Sequence, residues 1–201
     1  MANEYVSTAT LKTTLGITVS TFDTDITTAC SAASRGIDQA CSRRFWLDSG
    51  TNNIRYYQGN PQKLTLSIDD LVTVTTIKLD TDGDASFSTT LTANTDYVLD
   101  PLNAAAESPA RPYTRLVLNH LSSYSYPSYV RSVKITGAFG WAAVPDEIVR
   151  ATTILAIKLF KRQETPFGVL SVGVDQATAM RIAQSDPDVR FLIGPYLKMA
   201  I

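Results

Sequence analysis

The chain has 201 residues, of which 44% are hydrophobic and 18% charged, enough for one domain with a real core or for two small ones. Lys plus Arg total 18 against 19 Asp plus Glu, a net charge of −1, which argues against the clustered positive excess by which a single copy grips DNA phosphates tightly. No apolar run reaches the roughly 18 residues of a membrane helix. The N-terminal MANEYVSTAT lacks the basic-then-apolar order of a signal peptide, so the finished chain is expected to stay where it is made.

Ser7 or Thr8 can cap a short helix carrying Leu11 and Leu15, with Gly16 as its stop. A second helix follows, capped by Ser20 or Thr21 and acidic in its first turn at Asp23 and Asp25. Its apolar positions, Phe22, Ile26, Ala29, Cys30, Ala33, Ile37, Ala40 and Cys41, recur every three and four residues. They are mostly small, so another helix can approach closely. Cys30 and Cys41 would stand about 16 Å apart along one helix, too far for a disulfide, and are expected to be buried thiols.

From about residue 51 the period changes. IRYY, KLTLSI, VTVTTIKL, FSTTLT, DYVLD, TRLVLN and VRSVKITGAF are short alternating or β-branched runs separated by turn formers. Residues 51–140 therefore predict six or seven mostly antiparallel strands in a small sandwich or barrel-like sheet. Helical pattern resumes at Pro145, with Asp146 and Glu147 at the positive end and Lys158, Lys161 and Arg162 near the negative end. Ile148, Val149, Ala151, Ile154, Leu155, Ala156, Ile157, Leu159 and Phe160 make this helix apolar over more than half its girth, as a central helix would be. A short helix is expected near Ala177 to Gln184. Asp186 and Pro187 can start a last one, which Gly194-Pro195 should bend or end.

The economical fold is α+β. Residues 1–50 and 141–201 form a discontinuous helical core, because neither flank can bury its stripe alone, and residues 51–140 form an inserted β domain. The Gly137-Ala138-Phe139-Gly140-Trp141 corner and Pro145 make the joint between them. Glycine permits the sharp turn, and Phe139 and Trp141 are placed to plug the seam.

Chemistry is poorly represented. DTDGD, Asp80 to Asp84, fails as an EF-hand because its sixth and twelfth positions hold Ala85 and Leu91; a hairpin turn with Asp82-Gly83 at its tip explains it. Asp69-Asp70 lies between two strand-like runs and is expected in a turn rather than as an acid–base pair. His120 is the sole histidine, so a small hydrolase would have to use it, yet no G-x-S-x-G elbow, zinc spacing or P-loop accompanies it. No cofactor or metal is expected, and His120 is expected on a loop or strand end. SSYSYPSYV presents Tyr124, Tyr126 and Tyr129, rigid amphipathic contact area for a neighbouring subunit or other protein partner or, as an alternative, a carbohydrate or host surface. Phe191, Leu192, Ile193, Tyr196 and Met199 make an apolar end that packs back on its own core or meets a partner.

Several stretches together carry a resemblance: Leu11-Lys12 with Leu15-Gly16; the helix ending IDQACSRRFW, with Arg44-Phe45; LTLSIDDLVTVTTIKLDTDGD; YVLDPLNA; the joint ITGAFGWAAVPDEIVRATTILA; and LIGPYL. In this order the chain resembles the head–tail adaptor (connector, head-completion) proteins of tailed bacteriophages. The resemblance implies a structural virion protein without catalysis, made in the bacterial cytoplasm. It implies a homo-oligomeric ring, usually of twelve copies, beneath the portal protein. Such a ring extends the channel for double-stranded DNA, without sequence-specific binding, and offers a surface to the next head-completion (stopper) or tail protein. It also implies that the C-terminal segment docks on the portal.

Overall fold

A computed structural model describes residues 3–163 and 186–198; the helix expected near Ala177 to Gln184 and the contact residue Met199 lie outside them. The chain forms two compact units, Met1–Phe45 with Val144–Ile201, and Trp46–Ala143.

The first unit is helical: α1 (Thr8–Leu15), α2 (Asp23–Cys41), α3 (Asp146–Gln163), α4 (Pro187–Ile193) and a closing 3-10 turn, Gly194–Tyr196. Local chemistry sets most of the helix ends. The Ser7 hydroxyl accepts from Thr10 N–H, and Gly16 stops α1 in the left-handed region at φ 70°. Asp186 accepts from the amides of Asp188 and Val189, with Pro187 in the first turn of α4. At α2 the expectation fails. The residue at its N-cap is Phe22, with no side-chain cap, rather than Ser20 or Thr21. Instead Asp23 and Asp25 sit in the first turn, and Asp23 forms an ion pair with Lys12 of α1. Pro145 stands just ahead of α3, its carbonyl accepting from Ile148 and Val149 N–H.

The small-residue stripe of α2 packs against α3. Ile26, Ala29, Cys30, Ala33, Ile37 and Cys41 are buried, as are Ile148, Ala151, Leu155, Ala156, Leu159 and Phe160. Phe22 meets Phe160 edge-on, ring centres 6.0 Å apart. Both cysteines are free, and burial pushes the thiols up to about 11 for Cys30 and about 12 for Cys41. These are inert core groups rather than thiolates.

The second unit is one six-stranded antiparallel sheet in the order β1-β6-β2-β5-β4, with β3 also on β2. The strands are β1 (Asn53–Tyr57), β2 (Thr65–Leu79), β3 (Thr89–Leu91), β4 (Tyr97–Asp100), β5 (Tyr113–Leu118) and β6 (Val133–Phe139). The sheet is open, which corrects the sandwich or barrel-like form. The reason is β2. KLTLSI and VTVTTIKL are not two strands but one of 15 residues, long enough to pair with β5 over its first half and with β6 over its second. Its register shifts between Ser67 and Leu71 on the β5 side and at two places between Leu71 and Thr76 on the β6 side, as β-bulges do where a strand bends.

Asp69 and Asp70 fall inside that irregular stretch, not in a turn, because both carboxylates have partners there. Asp69 pairs with Arg55 and accepts from the Tyr57 hydroxyl; Asp70 accepts from the Trp141 indole. The core of the unit gathers Ile68, Leu71, Ile77, Leu79, Leu116, Leu118, Val133, Ile135 and Phe139. DTDGD is likewise not a tight hairpin. Residues 80–88 form a longer loop wound around the Asp80 carboxylate, which accepts from Gly83 N–H and Ala85 N–H.

Trp46 to Gly50 and Trp141 to Ala143 travel with the sheet unit. Two backbone hydrogen bonds tie them there, Asp48 N–H to Phe139 O at 2.8 Å and Trp141 N–H to Trp46 O at 3.3 Å.

Candidate interaction surfaces

The C-terminal apolar segment divides by helical geometry. Ile193 and Tyr196 turn inward. The Tyr196 hydroxyl donates to Glu147 Oε2 at 2.9 Å, and its ring meets Phe45 edge-on at 5.8 Å. These two are therefore structural parts of the helical unit, a correction to their reading as contact residues. Leu192 is half-buried. Phe191 points out and is 83% exposed, and Leu197, six positions on, is also exposed. An exposed phenylalanine on an ordered helix is the more informative observation, since its neighbours two and five positions on are committed to the core.

The tyrosine loop divides in the same way. Tyr124 and Tyr129 are exposed, but Tyr126 is 1% exposed and belongs to the sheet core. Its hydroxyl donates to Leu116 O at 2.9 Å, which is how a tyrosine becomes a core residue. Tyr126 is withdrawn from the candidate surface. His120 lies exposed in the turn after β5.

The joint residues are built from the sheet outward. Phe139 ends β6 fully buried, with the Arg55 guanidinium 4.3 Å from its ring centre. Arg55 is in turn held by Asp48 and Asp69. Gly140 has φ 117° and donates to Asp70 O at 2.7 Å. Trp141 is buried; its indole donates to Asp70 and its backbone N–H to Trp46 O, both in the sheet unit. The Arg55 cluster was not anticipated. Asp48, Arg55 and Asp69 are charges in three separate segments, and nothing in their local spacing announces that they meet.

A second unanticipated network ties the start of the chain to α2. Tyr5 N–H donates to the Ser34 hydroxyl at 3.1 Å, the Tyr5 hydroxyl donates to Asp38, and Phe45 N–H donates to that same hydroxyl at 2.9 Å. Arg35 pairs with Asp38 at 3.2 Å. Burial pushes the Asp38 carboxyl up to about 6, against the downward pull of the Tyr5 hydroxyl, Arg35 and Arg44. Between about 4, the ordinary carboxylate value, and about 6, the folded chain holds a proton that the unfolded chain has released. This group's contribution to stability is therefore present at low pH and lost as pH rises through that window. The expected result is a melting temperature that falls from pH 4 to pH 7 more steeply in wild type than in Asp38→Asn. Parallel curves for the two proteins would reject the assignment.

No family model matches the chain, and no curated protein matches it. Solved structures do. A chain described as "Neck of empty GTA particle computed with C6 symmetry" superposes with a TM-score of 0.57 at 16% identity, covering 100% of this chain and 94% of that one. A chain from "Virion of native gene transfer agent (GTA) particle" gives a TM-score of 0.53 at 18% identity, covering 98% and 91%. This chain shares their fold over nearly the whole of both lengths.

Proposed function

We propose that this chain is a structural protein of a virion neck: a head–tail adaptor that forms a homo-oligomeric ring beneath the portal. In this reading it is made in the bacterial cytoplasm, has no catalytic role and needs no cofactor. The ring continues the DNA channel and presents a surface to the next head-completion or tail protein. The observation that carries the reading is end-to-end agreement with the fold of a chain in a particle neck resolved with six-fold symmetry. The sequence resemblance to phage adaptors, made on separate residues, supports the same role.

Phe191 is the best-placed contact for the portal or a neighbouring copy, with Tyr124 and Tyr129 as the sheet unit's candidates. A ring contact needs an exposed apolar anchor on a rigid element, and Phe191 on α4 has that form. Phe191→Asp is expected to leave folding within about 0.5 kcal/mol of wild type, as exposed substitutions do. Incorporation into particle necks, quantified by electron microscopy and mass spectrometry, should fall tenfold or more. Wild-type loading would remove Phe191 from the contact, and a complete neck in particles lacking the protein would overturn the function itself.

A further inference from the structure

One face of the sheet unit carries an arrangement that packing alone does not explain. Strand register places Tyr56 opposite Lys134, Lys134 opposite Lys78, and Lys78 opposite Thr90. The row crosses β1, β6, β2 and β3 on a single face. The next row is Ile54, Thr136 and Thr76. Two lysines directly opposite each other in a sheet repel and destabilise it. Among the described residues, neither they nor Arg131 is paired with a carboxylate.

The surroundings aim more chemistry at the same place. Arg131 stacks over the Tyr56 ring at 4.2 Å, Lys134 lies over Phe87 at 5.6 Å, and the Tyr56 and Phe87 rings stand 5.6 Å apart. Phe87 and Arg131 both hold left-handed backbone, φ 51° and 62°, an unusual state for bulky residues. Both strained residues deliver their side chains to this one face. Tyr56 is 37% exposed. The nearby acidic groups are engaged elsewhere: Asp80 binds the amides of its own loop and Asp84 accepts from Ser86 N–H, while Asp82 accepts from the Thr81 hydroxyl.

We propose that this face, Lys78, Lys134 and Arg131 with Tyr56 and the threonines, is a docking surface for the phosphate backbone of duplex DNA. Its chemistry is that of hydrogen-bond and charge donation: two ammonium groups, a guanidinium, and hydroxyls from Tyr56, Thr76, Thr90 and Thr136. Ile54 and the ring of Tyr56 are its exposed apolar groups. An acidic protein partner would need a dry apolar centre to its interface, whereas a phosphodiester backbone is held by donors of this kind. The preference for duplex DNA rests on the neck reading. Three cations per copy, in a chain of net charge −1, make a weak and strongly salt-dependent contact, compatible with DNA that must slide.

The test is an NMR titration of the isotope-labelled full chain with a duplex of about 20 base pairs at low salt. About three phosphate contacts predict a slope of roughly −2.7 in log affinity against log salt. Amide shifts should concentrate at 54–56, 76–78 and 131–136. Lys78→Gln with Lys134→Gln should weaken binding at least fivefold while melting no lower than wild type, since a like-charge pair has been relieved. Shifts centred elsewhere, no shifts at all, or undiminished binding by the double variant would overturn the proposal. So would a poly-glutamate peptide that binds the face when the duplex does not. Neck incorporation of the double variant is scored separately. Normal necks with no DNA shifts would defeat this inference and leave the adaptor reading standing.

Discussion

Trp141→Ala is expected to cost about 3–5 kcal/mol, the range for truncating a large buried aromatic. The side chain is 1% exposed, and its indole N–H donates to Asp70 Oδ2 at 3.0 Å. Truncation therefore removes packing and also takes a donor from a buried carboxylate, which costs about 1–3 kcal/mol where nothing replaces it. Trp141→Phe separates the two effects. It keeps most of the apolar volume and loses the N–H, so about 1–3 kcal/mol is expected. Trp46, the other tryptophan, also belongs to the sheet unit, and its fluorescence reports that unit's unfolding in urea after Trp141 is replaced. Variants that unfold at the wild-type midpoint would show that the buried indole and its bond to Asp70 do not stabilise the sheet unit.

The second large effect is expected at Gly140. Its backbone sits at φ 117°, where an L side chain is strained, and an added Cβ would lie 2.0 Å from the Trp46 carbonyl oxygen and 3.0 Å from Leu47 Cα. The neighbours are backbone atoms, tied down by the Trp46–Trp141 hydrogen bond, and cannot give way as a flexible side chain would. Gly140→Ala should cost about 2–5 kcal/mol, combining about 1–2 for the left-handed conformation with about 1–3 for overpacking. Gly16→Ala is the control. Gly16 is also left-handed, φ 70°, but has nothing within 4 Å of an added Cβ, so the backbone term alone is expected. Equal losses at the two sites, read as shifts in urea midpoint, would remove the close approach at Gly140.

The helical unit was largely legible. Ser7, Gly16, Asp186 and Pro187 act within a few residues of themselves, and the three-and-four spacing of α2 and α3 declares which face is buried. The exception is Phe22 at the N-cap of α2, a start with no local side-chain cap, where Asp23 finds its partner on another helix in Lys12. In the sheet unit the strands were legible as runs, but their continuity was not. Asp69 and Asp70 read as a break because two adjacent carboxylates disfavour a strand; Arg55, Tyr57 and Trp141, all distant in sequence, supply the partners that keep the strand going. The candidate contact residues fared unevenly for a related reason. Tyr126 and Tyr196 look like Tyr124 and Tyr129 in sequence, and what separates them is an acceptor met as the ring turns inward, Leu116 O in one case and Glu147 in the other.

By itself, then, the sequence determined the order of elements, the period of each, most helix ends and the union of the two helical flanks around an inserted sheet. These follow from backbone hydrogen bonding and side-chain patterning over spans of a few residues. Tertiary structure alone decided that the sheet stays open, which tyrosines turn inward, and that Tyr56, Lys134 and Lys78 share one row. Those outcomes depend on register between segments far apart in the chain, and a slip of a single residue would send every one of those side chains to the opposite face.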